Sequence, residues 1–202
     1  MDVPGWLVAV TISAYWFCVG VMIVRVRRHT RRDVIVPKQG LEQMMGVVWV
    51  PLVAAWVALP WLALDRTLGP LSLPAFARGD AAYAALRLAA ALVAVACLAA
   101  TIKCWARMGR NWRMAVTAEP DQPLITDGLF SRIRHPIYAF SILLMAATVA
   151  VVPTWPMLAC GVVHIVLMVM KAHNEERHLL ASHGDAYARY LARTGRFLPR
   201  FR

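Results

Sequence analysis

This sequence is short of charge: Asp, Glu, Lys and Arg together make up 16% of its 202 residues, and only eleven of them are acidic. A soluble domain carries about 25% charged and about 45–50% apolar residues. Here the apolar share is 60% and the mean hydropathy +0.55, which excludes an ordinary water-soluble domain and implies an integral membrane protein. The shortage of acid leaves a net charge of +11. On a soluble surface that would suggest nucleic acid, but the basic residues stand between apolar runs, where they report membrane topology, and no nucleic-acid partner is expected. Cys18, Cys97, Cys104 and Cys160 form no C-x-x-C spacing, so the common zinc and redox motifs are excluded; the four read as packing residues and no metal site is expected. The signal-peptide order of basic, short apolar and small-residue regions is also missing. Asp2 precedes the first apolar run and the arginines follow it, so this end reads as a retained anchor.

What is present is a series of apolar runs long enough for helical spans, which need about 20 residues each. The first runs from Trp6 to Val24 and ends at Arg25, Arg27, Arg28, Arg31 and Arg32, a block that the positive-inside rule holds in the cytosol with Met1 outside. The second, about Met44 to Leu64, carries Pro51 and Pro60, and its Trp49, Trp56 and Trp61 read as lipid-facing or belt residues rather than a cofactor box. A short external loop, Asp65 to Asp80, leads to the third span, about Ala81 to Trp105. Lys103, Arg107, Arg110 and Arg113 then return the chain to the inside. From Ile137 to Ala172 the sequence is apolar again but broken at Val152-Pro153-Thr154-Trp155-Pro156, which predicts a helical hairpin with arms of about fifteen residues, spanning or re-entrant. The fold class is therefore all-α and polytopic, with about five membrane helices: an N-terminal three-helix region, 1–104, and a C-terminal region, 105–202, that contains the hairpin 137–172. Only Arg66, Arg78 and Arg87 are left outside.

The hairpin brings Glu175-Glu176, the adjacent carboxylate pair, back to Arg134-His135. His135 and Tyr138 lie three apart at a helix start and share a face, and Pro136 suits the first turn. A helix N-terminus beside Arg134 favours an anion, and the glutamates can receive an ammonium or ribose hydroxyls, so one pocket can hold a zwitterionic or nucleoside-containing ligand. The competing reading is an interfacial salt bridge from Arg134 to the glutamates, with His135 and Tyr138 at headgroup level. Spacing alone leaves both open.

The run Arg134-His135-Pro136-Ile137-Tyr138, the pair Glu175-Glu176 with Leu179, and the tail Gly184…Tyr187…Tyr190…Arg193-Thr194-Gly195-Arg196-Phe197-Leu198-Pro199 resemble the C-terminal half of the isoprenylcysteine carboxyl methyltransferase family, a broad group that includes phospholipid methyltransferases. Gly109-Arg110-Asn111-Trp112 and Leu124-Ile125-Thr126-Asp127-Gly128 resemble its upstream segment, so the likeness covers about residues 105–202. It implies an integral methyltransferase, in a bacterial plasma membrane by the alanine, valine and arginine bias, that takes S-adenosylmethionine from the cytosolic side. Its acceptor would be lipophilic: a prenylcysteine-like carboxylate, a phospholipid amine or another hydrophobic small molecule or lipidated substrate, with membrane lipids as partners. By resemblance His135, Pro136, Tyr138, Glu175 and Glu176 hold the cofactor, Gln122, Leu124, Ile125 and Phe130 line its pocket, and Arg134 orients the acceptor or the cofactor carboxylate. Three positions depart from the family pattern: Phe140 replaces a glycine, Phe130 lacks a hydroxyl, and Lys171 or His173 stands for an arginine that meets the substrate carboxylate. Lysine cannot make arginine's planar two-pronged contact, which turns the reading away from a prenylated protein carboxylate.

An anionic or neutral-amine acceptor needs alignment more than acid-base help. A phenol or protonated amine needs a base, and His135, His173 or a glutamate lies in the right region. Two other functions compete. A sterol-reductase-type membrane enzyme would meet the NADPH phosphate with Arg107, Arg110 and Arg113. A non-catalytic haem protein would use His164, His173 or His178, of which His164 lies within the fifth apolar segment and is by default a functional candidate.

Overall fold

The computed structural model describes residues 1–30, 40–109, 112 and 124–200. Gln122, Arg110, Arg113, Arg31 and Arg32 lie outside that set. The described chain is all-helical: α1 (Val3–Thr30), α2 (Gly40–Leu62), the short α3 (Ala75–Gly79), α4 (Ala81–Met108), α5 (Pro136–Val151) and α6 (Trp155–Arg193). Four of these helices are long and apolar enough to cross a membrane; α5 is apolar but shorter. The protein is a polytopic membrane protein, and its long helices pack in a closed cycle in which α1 touches α2 and α4, α5 joins α4 to α6, and α6 returns to α2.

The second hairpin arm differs from the expected fifteen residues. The break is absorbed at its start: Pro153 lies in the connection before the N-cap Thr154, whose Oγ1 accepts from the Met157 amide at 3.4 Å, and Pro156 sits in the first turn, where no donor is missed. Nothing then stops α6, which runs past Glu175 and bends at Gly184, where φ +49° and ψ −126° are open to glycine alone. The bend returns Tyr187, Tyr190 and Thr194 to the bundle as buried residues. At 16 residues α5 is about 24 Å long, less than the hydrocarbon thickness of about 30 Å. Its last carbonyls therefore end inside the protein, where Tyr83 donates to Ala150 O at 3.0 Å and Arg87 Nε to Val151 O at 2.8 Å. Arg87, expected outside, is buried at that end, with Nη1 on Ala77 O and Nη2 on Asp2 at 2.6 Å.

The tryptophans of α2 need correction. Trp56 is fully buried, donates to Thr148 Oγ1 at 3.3 Å and lies 4.7 Å from the His164 ring; Trp61 donates to Ser13 Oγ at 3.0 Å. In a helix apolar all round, periodicity does not distinguish the lipid face from the packed one. The cysteines are free, with Cys97, Cys104 and Cys160 buried as packing residues.

Candidate functional site

Pro136 starts α5 directly after His135, so the Arg134–Tyr138 run emerges from irregular backbone at one end of the bundle. The C-terminal tail pins it there. Arg134 N donates to Gly195 O at 2.8 Å, His135 N to Arg196 O at 3.1 Å, and Gly195 N to Arg132 O at 3.1 Å, a short parallel bridge. Gly195 is required at this crossing, because a Cβ would lie 1.8 Å from the Leu198 carbonyl oxygen. On the other side Tyr190 donates to Phe130 O at 2.5 Å, fixing the buried Phe130, whereas Leu124 and Ile125 are half-buried.

The two glutamates, adjacent in sequence, have different surroundings. Glu176 is buried and its oxygens are taken up: Arg134 Nε donates to Oε1 at 2.9 Å, Arg196 Nε reaches both oxygens at 3.1 Å, and Arg196 Nη2 binds Oε2 at 2.5 Å. Arg134 Nη1 donates to Leu191 O at 3.3 Å and to the Thr194 carbonyl. The interfacial salt bridge is thus present, between Arg134 and Glu176. Glu175 is 30% exposed and uses Oε2 for both of its contacts, accepting from Tyr138 OH at 2.9 Å and lying 3.5 Å from His135 Nδ1. No described residue binds its Oε1.

His135 lies between them. Its ring is stacked on Tyr138, 4° from parallel with centroids 5.3 Å apart, and its Nε2 is 3.3 Å from Glu176 Oε1 without the alignment of a hydrogen bond. Burial pulls its pKa down, but the two carboxylates outweigh burial and hold it above the ordinary imidazole value.

Directly behind Tyr138 is a cleft enclosing about 450 Å³, its open mouth included, lined by Tyr15, Trp16, Val19, Trp49, Trp105, Trp112, Ile137, Tyr138, Ser141, Met168 and Lys171. Every membrane helix contributes to its wall. The Lys171 ammonium stands 5.2 Å from the Trp49 ring centre. Sequence reasoning found Tyr138 and Lys171 but not the aromatic residues, which are scattered over the whole chain. Ser141, one helical turn after Tyr138, was within reach of the same spacing argument.

The candidate sites of the competing functions fare differently. Arg107 pairs with Asp127 at an exposed position, and Arg110 and Arg113 are outside the described residues. Among the described residues no group of three or more His, Cys, Asp or Glu can hold a metal ion. His164 is hydrogen-bonded to Ser141 of the neighbouring helix, at 3.1 Å.

A helical membrane bundle with a tail-braced polar corner at one end, opening beside an aromatic cleft, defines a polytopic integral membrane protein. Residues 89–181, just under half of the chain, match the model of the isoprenylcysteine carboxyl methyltransferase family, so this segment is similar to the membrane methyltransferases of that family. No curated protein matches the chain.

Proposed function

We propose that the protein transfers a methyl group from S-adenosylmethionine to a lipophilic acceptor drawn from the bilayer. The observation that carries this reading is Tyr138, whose hydroxyl is bound to Glu175 in the polar corner while its side chain forms a wall of the aromatic cleft. A polar donor and an apolar acceptor would meet across one residue.

Glu175, Tyr138 and His135 would hold the cofactor: a carboxylate with one uncommitted oxygen suits an amino group or ribose hydroxyls, and the stacked Tyr138–His135 pair offers a flat surface. The α5 N-terminus, with no side-chain cap at His135, suits a carboxylate. Pro136 keeps that turn open by supplying no donor of its own, and Leu124, Ile125 and Phe130 would close the pocket. Gln122 belongs to the same proposed lining. Glu176 and Arg134, bonded to each other and to the tail, would brace the corner rather than touch the reacting groups. Lys171, on the cleft wall, would face the acceptor. Bound S-adenosylmethionine supplies an electrophilic methyl group; the chain's part is to align it with the acceptor and exclude water. The basic residues Arg25, Arg27, Arg28, Lys103, Arg132, Arg193 and Arg196 belong to the segments flanking this end of the bundle, which favours the cytosol for it.

The test is calorimetric titration of the detergent-purified protein with S-adenosylhomocysteine and, separately, NADPH. Saturable binding of the first alone is expected. Binding of NADPH alone would replace this reading with the reductase one, and binding of neither would return the corner to a purely structural role.

A further inference from the structure

The acceptor's chemistry can be read from the cleft, given the methyltransferase reading. Trp16, Trp49 and Trp105 line it, and the indole N–H of each is buried with no partner among the described residues. A buried donor without a partner costs about 1–3 kcal/mol, so a ligand that reached any of these N–H groups would do so with an acceptor oxygen. The Lys171 ammonium in the same wall repels an ammonium. Both features select an oxygen head over an amine.

Ser141 then distinguishes a hydroxyl from an oxyanion. Membrane-helix hydroxyls usually bond back to the carbonyl four residues earlier, as Thr11, Thr101 and Thr148 do here at 2.7–2.8 Å. Ser141, on the cleft wall, is instead hydrogen-bonded across the helix interface to His164 Nε2 at 3.1 Å. His164 is completely buried, its Nδ1 has no partner among the described residues, and the Trp56 ring lies 4.7 Å from it. A neutral histidine needs no aromatic neighbour, but a transient imidazolium is stabilised by a ring within about 6 Å. An ionisable side chain this deep in an apolar segment is costly unless it serves a purpose.

We propose that Ser141 and His164 form a proton relay at the wall of the cleft, and that the acceptor is a lipophilic hydroxyl compound of the phenol type. With the ring proton on Nδ1, Ser141 donates to Nε2 and turns its lone pairs to the acceptor. As the new carbon–oxygen bond forms and the carbon–sulfur bond of the sulfonium breaks, the acceptor's proton passes to Ser141 Oγ and the Ser141 proton to His164 Nε2. The products are a methyl ether, a neutral thioether and an imidazolium that later releases its proton to water. The other titratable groups on the cleft wall are Tyr15 of α1, which approaches Ser141, Tyr138 of α5 and Lys171 of α6; among the described residues no carboxylate lines it.

The probe is a long-chain 4-alkylphenol, compared with the matching 4-alkylbenzoate, using the full chain in detergent and isotopically labelled S-adenosylmethionine. Wild type is expected to methylate the phenol at a rate that levels off near neutral pH, and the phenol alone is expected to quench tryptophan fluorescence saturably. His164→Gln, which keeps a hydrogen bond to Ser141 but takes no proton, should lose about 100-fold at neutral pH. Its loss should shrink about tenfold per pH unit as the phenol itself ionises near pH 10. Ser141→Ala, the milder change, should give the same profile. A uniform loss with the wild-type pH profile in both variants would make the pair structural and overturn the relay, and so would methylation of the benzoate alone. Failure of the wild type to bind S-adenosylhomocysteine would instead overturn the methyltransferase reading on which the relay rests.

Discussion

The bundle has a largely buried arginine near each end, and the two are employed differently. Arg87 meets Asp2, Val151 O and Ala77 O, and the cluster closes on itself. Arg134 meets Glu176, Leu191 O and Thr194 O, but the carboxylate next in sequence, Glu175, keeps one oxygen uncommitted beside a cleft. A polar cluster that satisfies all its members holds helices together; one that stops short can also bind. What separates the ends is the remainder after internal bonding, not the presence of charge.

The comparison breaks most sharply at the fully consumed residues. Glu176→Ala leaves Arg134 buried without its partner, a loss of about 3–5 kcal/mol for such pairs. The expected outcome is a large fall in melting temperature in detergent, with loss of S-adenosylhomocysteine binding as the tail detaches. Arg87→Leu should destabilise by a similar or slightly smaller amount, because Asp2 is 24% exposed and can rehydrate. Here the affinity of the protein that remains folded should be unchanged. If Arg87→Leu weakened binding as much as Glu176→Ala, the two ends would not be functionally distinct.

Glu175→Gln should show the opposite pattern. Its lost charge-assisted bonds are worth about 1.5–3 kcal/mol to a bound ligand, or a 10- to 150-fold weaker affinity by calorimetry. The melting temperature should move little, since Glu175 is part exposed and the Tyr138 hydroxyl can donate to the amide oxygen.

A smaller effect follows from pH. The folded-state pKa of His135 is raised, so its ion pairs contribute fully below the ordinary imidazole value of about 6.5 and are lost as pH rises through the raised value. Melting temperature should therefore decline in wild type as pH rises from about 6.5 through that raised value, and level off above it. His135→Gln should flatten this decline; an identical decline in the variant would assign it to another group.

Much of the fold is legible in the sequence, for identifiable reasons. Apolar length located the long helices, and the proline pair located the hairpin. The return of Glu175 to His135 follows from an even number of crossings, which needs no side-chain detail. The length of α6 was not legible, because Pro156 reads as a breaker in sequence and acts as a first-turn residue once Thr154 caps the helix. Nor was the depth of Trp56, since an indole facing lipid and one facing His164 sit in equally apolar runs. The division of labour between Glu175 and Glu176 depends on Arg196, which reaches Glu176 only because the chain bends at Gly184 and crosses at Gly195. The cleft is least legible of all: its wall joins Tyr15, Trp49, Trp105, Tyr138 and Lys171, and no local pattern predicts their meeting.

The smallest expected effect bears on the rival cofactor. Arg107 pairs with Asp127, both more than half exposed, and an exposed ion pair of this kind is screened by salt and contributes little. Arg107→Ala should leave melting temperature and S-adenosylhomocysteine affinity within error at physiological ionic strength. Were this arginine the partner of an NADPH phosphate, the same substitution would weaken NADPH binding at least about tenfold, the worth of a lost charge-assisted contact. One variant titrated with both nucleotides therefore asks whether the exposed arginine, like Arg87, serves only the fold, or whether the binding surface extends beyond the corner at Glu175.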